Sequence, residues 1–343
     1  MNQKLFHDNH FDSIQALRGI MALFILLEHV RFLFCGAFGV DVFFCISGFM
    51  IMFSSYKSTD YFMRKRLIRI LPLYYLMTVG TFLLLLLFPS MFEQTKANPV
   101  FLIKSLCFVP FDVGNGVLQP ILRIGWTVNC EMFFYFIFFI AMKISFRYRG
   151  AVCSAFLGIV VLIRYVSGLE VPFLKFYGDG VMLDFILGIS CYYIVRWLYE
   201  THQKKPFSKV ISGIAMLVFA VVLIGLTMTR KEIDIVGLRR PLTWGLAAMV
   251  LVISAFLIGL NVKIPKFFVF LGNISFSLYL MHYYPVMLLD RKVFDFSVAT
   301  PKAVIGVFIS VALCIAVAAI SWFVMEKKFG NLLRKVCLPS KKN

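Results

Sequence analysis

Ten apolar stretches recur along this chain, near residues 14–33, 39–55, 72–88, 126–143, 150–167, 179–197, 210–228, 242–260, 269–289 and 303–324. A helix needs about 20 mostly apolar residues to cross a bilayer, and most of these runs supply them. Hydrocarbon offers no partner to a backbone N–H or C=O, so spanning segments are restricted to helices or closed barrels, and runs of this length select helices. The second run is short enough to be tilted or partly re-entrant. Residues 100–122, with Pro110, Gly114, Gly116 and Pro120, read as a broken outer segment rather than a crossing. The expected fold is therefore all-α, a polytopic integral membrane bundle of about ten transmembrane helices.

Composition agrees. Only 15% of the 343 residues are charged, 61% are hydrophobic, and the mean hydropathy is +0.87. Soluble domains are about a quarter charged, so lipid must be the solvent for most of this surface. A net charge of +18 would suggest nucleic acid in a soluble protein. Here the cations stand in short runs between apolar segments, such as Arg64-Lys65-Arg66, Lys204-Lys205 and Lys327-Lys328. That pattern marks cytoplasmic loops that meet anionic headgroups, so the expected partners are membrane lipids and not nucleic acid. With the N-terminus inside, the larger share of the 35 Lys and Arg falls on the inner side, which puts both termini in the cytoplasm. The margin is narrowed by a basic outer loop holding Arg230, Lys231, Arg239 and Arg240.

The eight cysteines have no framework spacing, and Cys45, Cys130, Cys191 and Cys314 lie inside apolar runs as small hydrophobes, so neither a disulfide scaffold nor a metal site is expected. The first apolar run carries Arg18, Glu28 and His29 and lacks a clear small-residue cleavage site before Phe43, unlike a signal peptide. No linker or internal repeat stands out. Residues 1–343 are read as one membrane domain without an appended soluble one, so any chemistry belongs to the bundle.

Ionisable groups at membrane depth cost about 2.5–3.5 kcal/mol each on insertion scales, so each is a candidate functional residue. The first span places Arg18 near its inner end and His29 eleven residues on, about 16 Å further out. Histidine is the side chain best suited to proton transfer near neutral pH; alone, it is as readily a buried hydrogen-bonded residue. Asp41 opens the next span at a similar depth, either to orient the imidazole as the third member of a triad does or to cap its helix. Ser47-Gly48 reads as a close-packing notch. Arg66 and Arg69 are three apart at the mouth of the third span and share a helical face. Guanidinium forks there suit phosphate, whereas Arg64 and Lys65 are explained by topology alone. Trp126 begins the fourth span as an interfacial aromatic, and Glu131 enters from outside to lie a little over a turn deep. Asp179 and Asp184 open the sixth span on that side, and His282 lies in the outer half of the ninth. Together they describe a polar pocket opening outward.

These residues carry a resemblance. Arg18 with His29 after ten intervening residues, Phe43-Phe44-Cys45-Ile46-Ser47-Gly48-Phe49, Arg66-Leu67-Ile68-Arg69-Ile70-Leu71-Pro72 and Gly125-Trp126-Thr127-Val128-Asn129-Cys130-Glu131 are similar to motifs of the membrane acyltransferase-3 family. The likeness is greatest to its exopolysaccharide and O-antigen acetyltransferases. It is strongest over residues 11–143, with Gly272-Asn273-Ile274-Ser275-Phe276-Ser277-Leu278-Tyr279-Leu280-Met281-His282 as the main later echo. Cys45 departs from the phenylalanine-rich pattern, a change read as one of packing.

The resemblance implies a multi-pass enzyme of the bacterial inner membrane, alone or as a homo-oligomer. It would use cytoplasmic acyl-CoA, acetyl-CoA above all, to acylate a cell-surface polysaccharide or lipid-linked sugar outside. On the matching positions His29 would be catalytic, Arg18, Arg66 and Arg69 would hold the donor, and Glu131 would be an acidic residue on the acceptor side. Trp126 and His282 are expected beside the acceptor, and Asp41 or Glu131 against the imidazolium. The expected mechanism anchors the nucleotide phosphates at the inner arginines and runs the pantetheine arm outward to His29, which acts as a base or forms an acyl-histidine. A carrier or channel for a small anion or lipid-linked sugar is the rival reading, weakened by the lack of an inverted repeat. A non-catalytic scaffold would have no need of the buried His and carboxylates.

Overall fold

A computed structural model describes residues 11–31, 33, 36–56, 61–89, 97–114, 116–228 and 237–338. Arg230 and Lys231 of the expected outer loop lie outside the described residues. Among the described residues the chain is helical, with no strand beyond one antiparallel bridge between Asp112 and Leu118. Seven helices there are long and apolar enough to cross a membrane: Phe62–Leu87, Arg123–Ile144, Arg149–Ser167, Gly180–Lys204, Lys209–Met228, Pro241–Gly259 and Pro301–Cys337.

The other three expected spans are shorter or interrupted. Helix α1 (Asp12–Glu28) has 17 residues and α2 (Gly39–Ser54) has 16. The ninth run is divided into Lys266–Asn273, Ser275–Met281 and Tyr283–Leu289. Pro285 lacks the N–H that would bond the Met281 carbonyl, and the helix is interrupted next to it, at His282. The third run differs in the opposite sense. Helix α3 (Phe62–Leu87) starts ten residues before the expected boundary and carries Pro72 inside it. Arg66 and Arg69 therefore lie about 6 and 10 Å along this helix, not at its mouth. A hydropathy boundary stops at the first cations, whereas the backbone continues wherever protein groups receive them.

The described residues pack as two compact units, each assembled from separated stretches of chain. The first draws on 1–57 and 183–319. In it α2 packs along Leu183–Lys204 with almost no space between backbones. A Cβ on Gly48 would collide with the Phe185 carbonyl oxygen, and one on Gly188 would collide with that of Cys45. Gly48 is thus the notch its sequence context implies. Cys45 and Cys191 are buried at this seam with their sulfurs 3.7 Å apart. Helix α1 meets Lys266–Asn273 in the same way, where a Cβ on Gly272 would strike the Gln15 carbonyl.

The second unit draws on 58–182 and 320–343. Its α3 runs antiparallel to α4 (Trp126–Ile144). Phe62 lies against Phe138 with centroids 5.7 Å apart, Arg66 sits 5.3 Å from the Tyr135 ring, and the Tyr74 hydroxyl is 3.3 Å from Asn129 Oδ1. The far end of α3 is covered by 97–125, where Leu85 packs with Phe111, Val113 and Ile121. This stretch is broken as expected. A short helix, Pro99–Leu106, starts at the Asn98 cap, and the backbone then turns through Gly114 and Gly116 at positive φ while Asp112 accepts from both N–H groups.

Candidate active site

Two of the first unit's candidate residues, Arg18 and His29, stand at α1. Arg18 Nη1 donates to Gln15 Oε1 (3.1 Å), and Gln15 Nε2 donates to Asn273 Oδ1 (2.9 Å). The guanidinium is thereby tied to the C-terminal end of the helix Lys266–Asn273. Three turns on, α1 ends: the His29 N–H bonds Leu26 O, and the imidazole folds back so that Nδ1 lies 2.9 Å from the Ile25 carbonyl oxygen. A carbonyl only accepts, so in the neutral ring Nδ1 carries the proton and Nε2 the lone pair.

His29 meets a second imidazole. His282 is fully buried, its Nε2 3.2 Å from His29 Nδ1 and its Nδ1 3.1 Å from Leu278 O. The two ring centroids are 4.8 Å apart, and Tyr283 stands edge-on to His29 at 5.5 Å. The sequence reading puts His282 beside the acceptor; in the structure its ring nitrogens face the Leu278 carbonyl and His29. Two carboxylates secure the surroundings. Glu28 accepts from the Gly36 and Ala37 N–H groups at 2.8 and 3.2 Å, closing the turn into α2. Asp290 takes a forked pair of hydrogen bonds from Arg31 at 2.9 and 3.1 Å, fastening the chain beyond His29 to the segment that follows His282.

Asp41 does not orient the imidazole. Its carboxylate is fully buried and receives Arg240 Nε and Nη2 at 2.8 and 2.9 Å, while that guanidinium lies 5.3 Å from the Trp244 ring. Neither sequence alternative, triad member or helix cap, describes it. Two positions into a helix, Asp41 pairs with a cation 199 residues away instead. Arg240 stands where the chain enters a π-helical turn, Pro241–Gly245. Its sequence signal was its place in a basic loop expected outside.

In the second unit Arg66, Arg69, Glu131 and Tyr135 form one electrostatic cluster. The Tyr135 hydroxyl donates to the Glu131 carboxylate one turn before it, and Arg66 lies over both the Tyr135 and Phe62 rings at 5.3 and 5.6 Å. Glu131 and the two arginines were expected at opposite ends of the membrane. The antiparallel register of α3 and α4 brings them to one level. Tyr135 escaped the sequence reading although its i,i+4 spacing from Glu131 was visible. Trp126 begins α4 and is partly buried.

The acyltransferase domain model of the acyltransferase-3 family matches residues 11–319, across both units. The chain belongs to that family. Among its relatives is the exopolysaccharide production protein ExoZ of Rhizobium meliloti (strain 1021), 30% identical over 287 residues that cover 80% of this chain and 84% of ExoZ. The O-acetyltransferase OatA of Staphylococcus aureus (strain NCTC 8325 / PS 47) is 22% identical over 318 residues, 82% of this chain and 51% of OatA. This acyltransferase-3 chain thus spans about half the length of the staphylococcal protein. No solved structure matches it. Family membership and the seven apolar helices together make it a membrane acyltransferase.

Proposed function

We propose that this membrane acyltransferase transfers an acetyl group from cytoplasmic acetyl-CoA to a hydroxyl of an extracytoplasmic polysaccharide or lipid-linked sugar. One observation carries the reading: His29 is held with Nδ1 against the Ile25 carbonyl, which puts the lone pair of the neutral ring on Nε2, where a general base needs it. His29 Nε2 takes the proton as the acceptor oxygen attacks the thioester carbonyl. The C–O bond forms, the C–S bond breaks, and the imidazolium returns the proton to the leaving thiolate as free coenzyme A. Exclusion of water by the apolar surroundings protects the thioester from hydrolysis.

The donor phosphates are assigned to Arg66 with Arg69, beside Glu131 and Tyr135. Ten crossings of a bacterial inner membrane, three of them by the shorter or interrupted helices, complete the reading, with both termini in the cytoplasm as the basic loops favour. The partners are lipids and the acceptor glycan.

The test is reconstitution of the full chain in vesicles with radiolabelled acetyl-CoA and an extracted glycan acceptor. Label should pass to the glycan with the wild type and not with His29→Ala, at equal protein level and melting temperature. Labelled product from His29→Ala at the wild-type rate would end the proposal.

A further inference from the structure

The two histidines lie 253 residues apart in sequence, yet their ring nitrogens face each other at 3.2 Å. The geometry points to His282 as a positioning residue that fixes the tautomer and ring orientation of His29 without itself meeting either substrate. This inference rests on His29 acting as the base.

Three contacts constrain the protons. Leu278 O accepts from His282 Nδ1, and Ile25 O accepts from His29 Nδ1, so each neutral ring carries its proton on Nδ1. His282 Nε2 then presents a lone pair to the His29 Nδ1–H, which is shared between Ile25 O and His282 Nε2. The opposite assignment fails twice. With the proton on His282 Nε2, its Nδ1 lone pair would face the Leu278 carbonyl, and the His29 Nδ1 lone pair would face that of Ile25. Turning the His29 ring over would set a C–H against both acceptors. One arrangement of neutral rings satisfies all three contacts, and it leaves the His29 lone pair on Nε2.

In a Ser-His-Asp triad a carboxylate holds the imidazole; here a neutral ring and a main-chain carbonyl converge on the same N–H. The consequence is greatest when His29 becomes an imidazolium, because both acceptors then receive a charge-assisted hydrogen bond. His282 can serve only while its own orientation is fixed, and the structure supplies this. It is fully buried, it sits at the interruption beside Pro285, and its carbonyl lies 3.8 Å from Cys314 Sγ. The Arg31–Asp290 fork holds the two chain segments together just beyond the rings.

The experiment is nitrogen-15 NMR of the full-length protein in lipid with labelled histidine, the His29 resonances being assigned with His29→Gln. The wild type should show His29 protonated on Nδ1. His282→Asn keeps an amide nitrogen where Nδ1 was but presents nothing at Nε2. It should give a mixture of His29 tautomers and lower kcat by about 100-fold, within the range ascribed to a positioned general base, with KM for acetyl-CoA changed less than about twofold. His282→Gln can place its carbonyl oxygen where Nε2 was and should return kcat to within about tenfold of wild type, since that acceptor suits the same N–H. A wild-type spectrum with His29 protonated on Nε2 overturns the inference even if the variants do not fold. So does His282→Asn with an unchanged tautomer and rate. The second result leaves His29 standing as the base, an assignment tested by His29→Ala; the first also removes the Nε2 lone pair on which that assignment rests.

Discussion

The two units handle polar groups inside an apolar bundle by different means. In the first unit the proposed base, His29, is an imidazole set against a main-chain carbonyl and a second imidazole. In the second, Arg66 and Arg69 are full charges near Glu131, and Arg66 lies over the faces of Tyr135 and Phe62. Asp41 with Arg240 shows that the first unit uses the ionic device too, away from its imidazoles. Neutral rings are cheap to bury but depend on tautomer; charges are indifferent to tautomer but costly to leave alone. The imidazole pair should therefore fail in rate and the ion pairs in stability.

Several variants can break or sharpen that contrast. The largest effect belongs to His29→Ala, with transfer down at least about 1,000-fold in the reconstituted assay and the thermal midpoint in detergent unchanged. A midpoint that fell with activity would make the imidazole pair structural and erase the distinction. Next comes Asp41→Ala, which strands the Arg240 guanidinium and should cost about 3–5 kcal/mol in a reversible denaturation series. Adding Arg240→Leu should recover part of that loss, and a strictly additive double-variant cycle would show that the pair is not coupled. Gly48→Ala forces a methyl into the Phe185 carbonyl and should lose about 1–3 kcal/mol with kcat per folded molecule retained. Smallest is Tyr135→Phe, about 1 kcal/mol for the hydrogen bond to Glu131, with donor affinity weakened because Arg66 loses part of its setting. Unchanged binding of coenzyme A by both Tyr135→Phe and Arg66→Gln would remove the second unit from donor recognition.

Much of the fold was legible, for a reason specific to lipid. The helical class, the broken stretch after α3 and most span positions follow from apolar length and glycine or proline punctuation. The start of α3 was not legible, since a hydropathy boundary treats Arg66 and Arg69 as exposed ends and cannot know that Tyr135 and Glu131 receive them. Within the candidate site, His29 and Arg18 stood out because a cation and an imidazole are costly on an apolar helix. Their immediate partners did not. Gln15 and Asn273 are ordinary polar residues, and the Ile25 carbonyl has no sequence signature at all.

Solvent accounts for what the sequence alone determined: a helical membrane protein with costly polar residues in a few of its helices, since hydrocarbon penalises unpaired backbone and idle charge, and apolar runs of this length select helices over barrel strands. Pairing was decided only by tertiary structure. Asp41 sits one short turn from His29 in the chain yet joins Arg240, and His29 joins His282. Hydrogen bonds act over about 3 Å, and which groups come that close depends on helix register, which the Gly48–Gly188 and Gly19–Gly272 contacts set and which no single helix carries in its own residues.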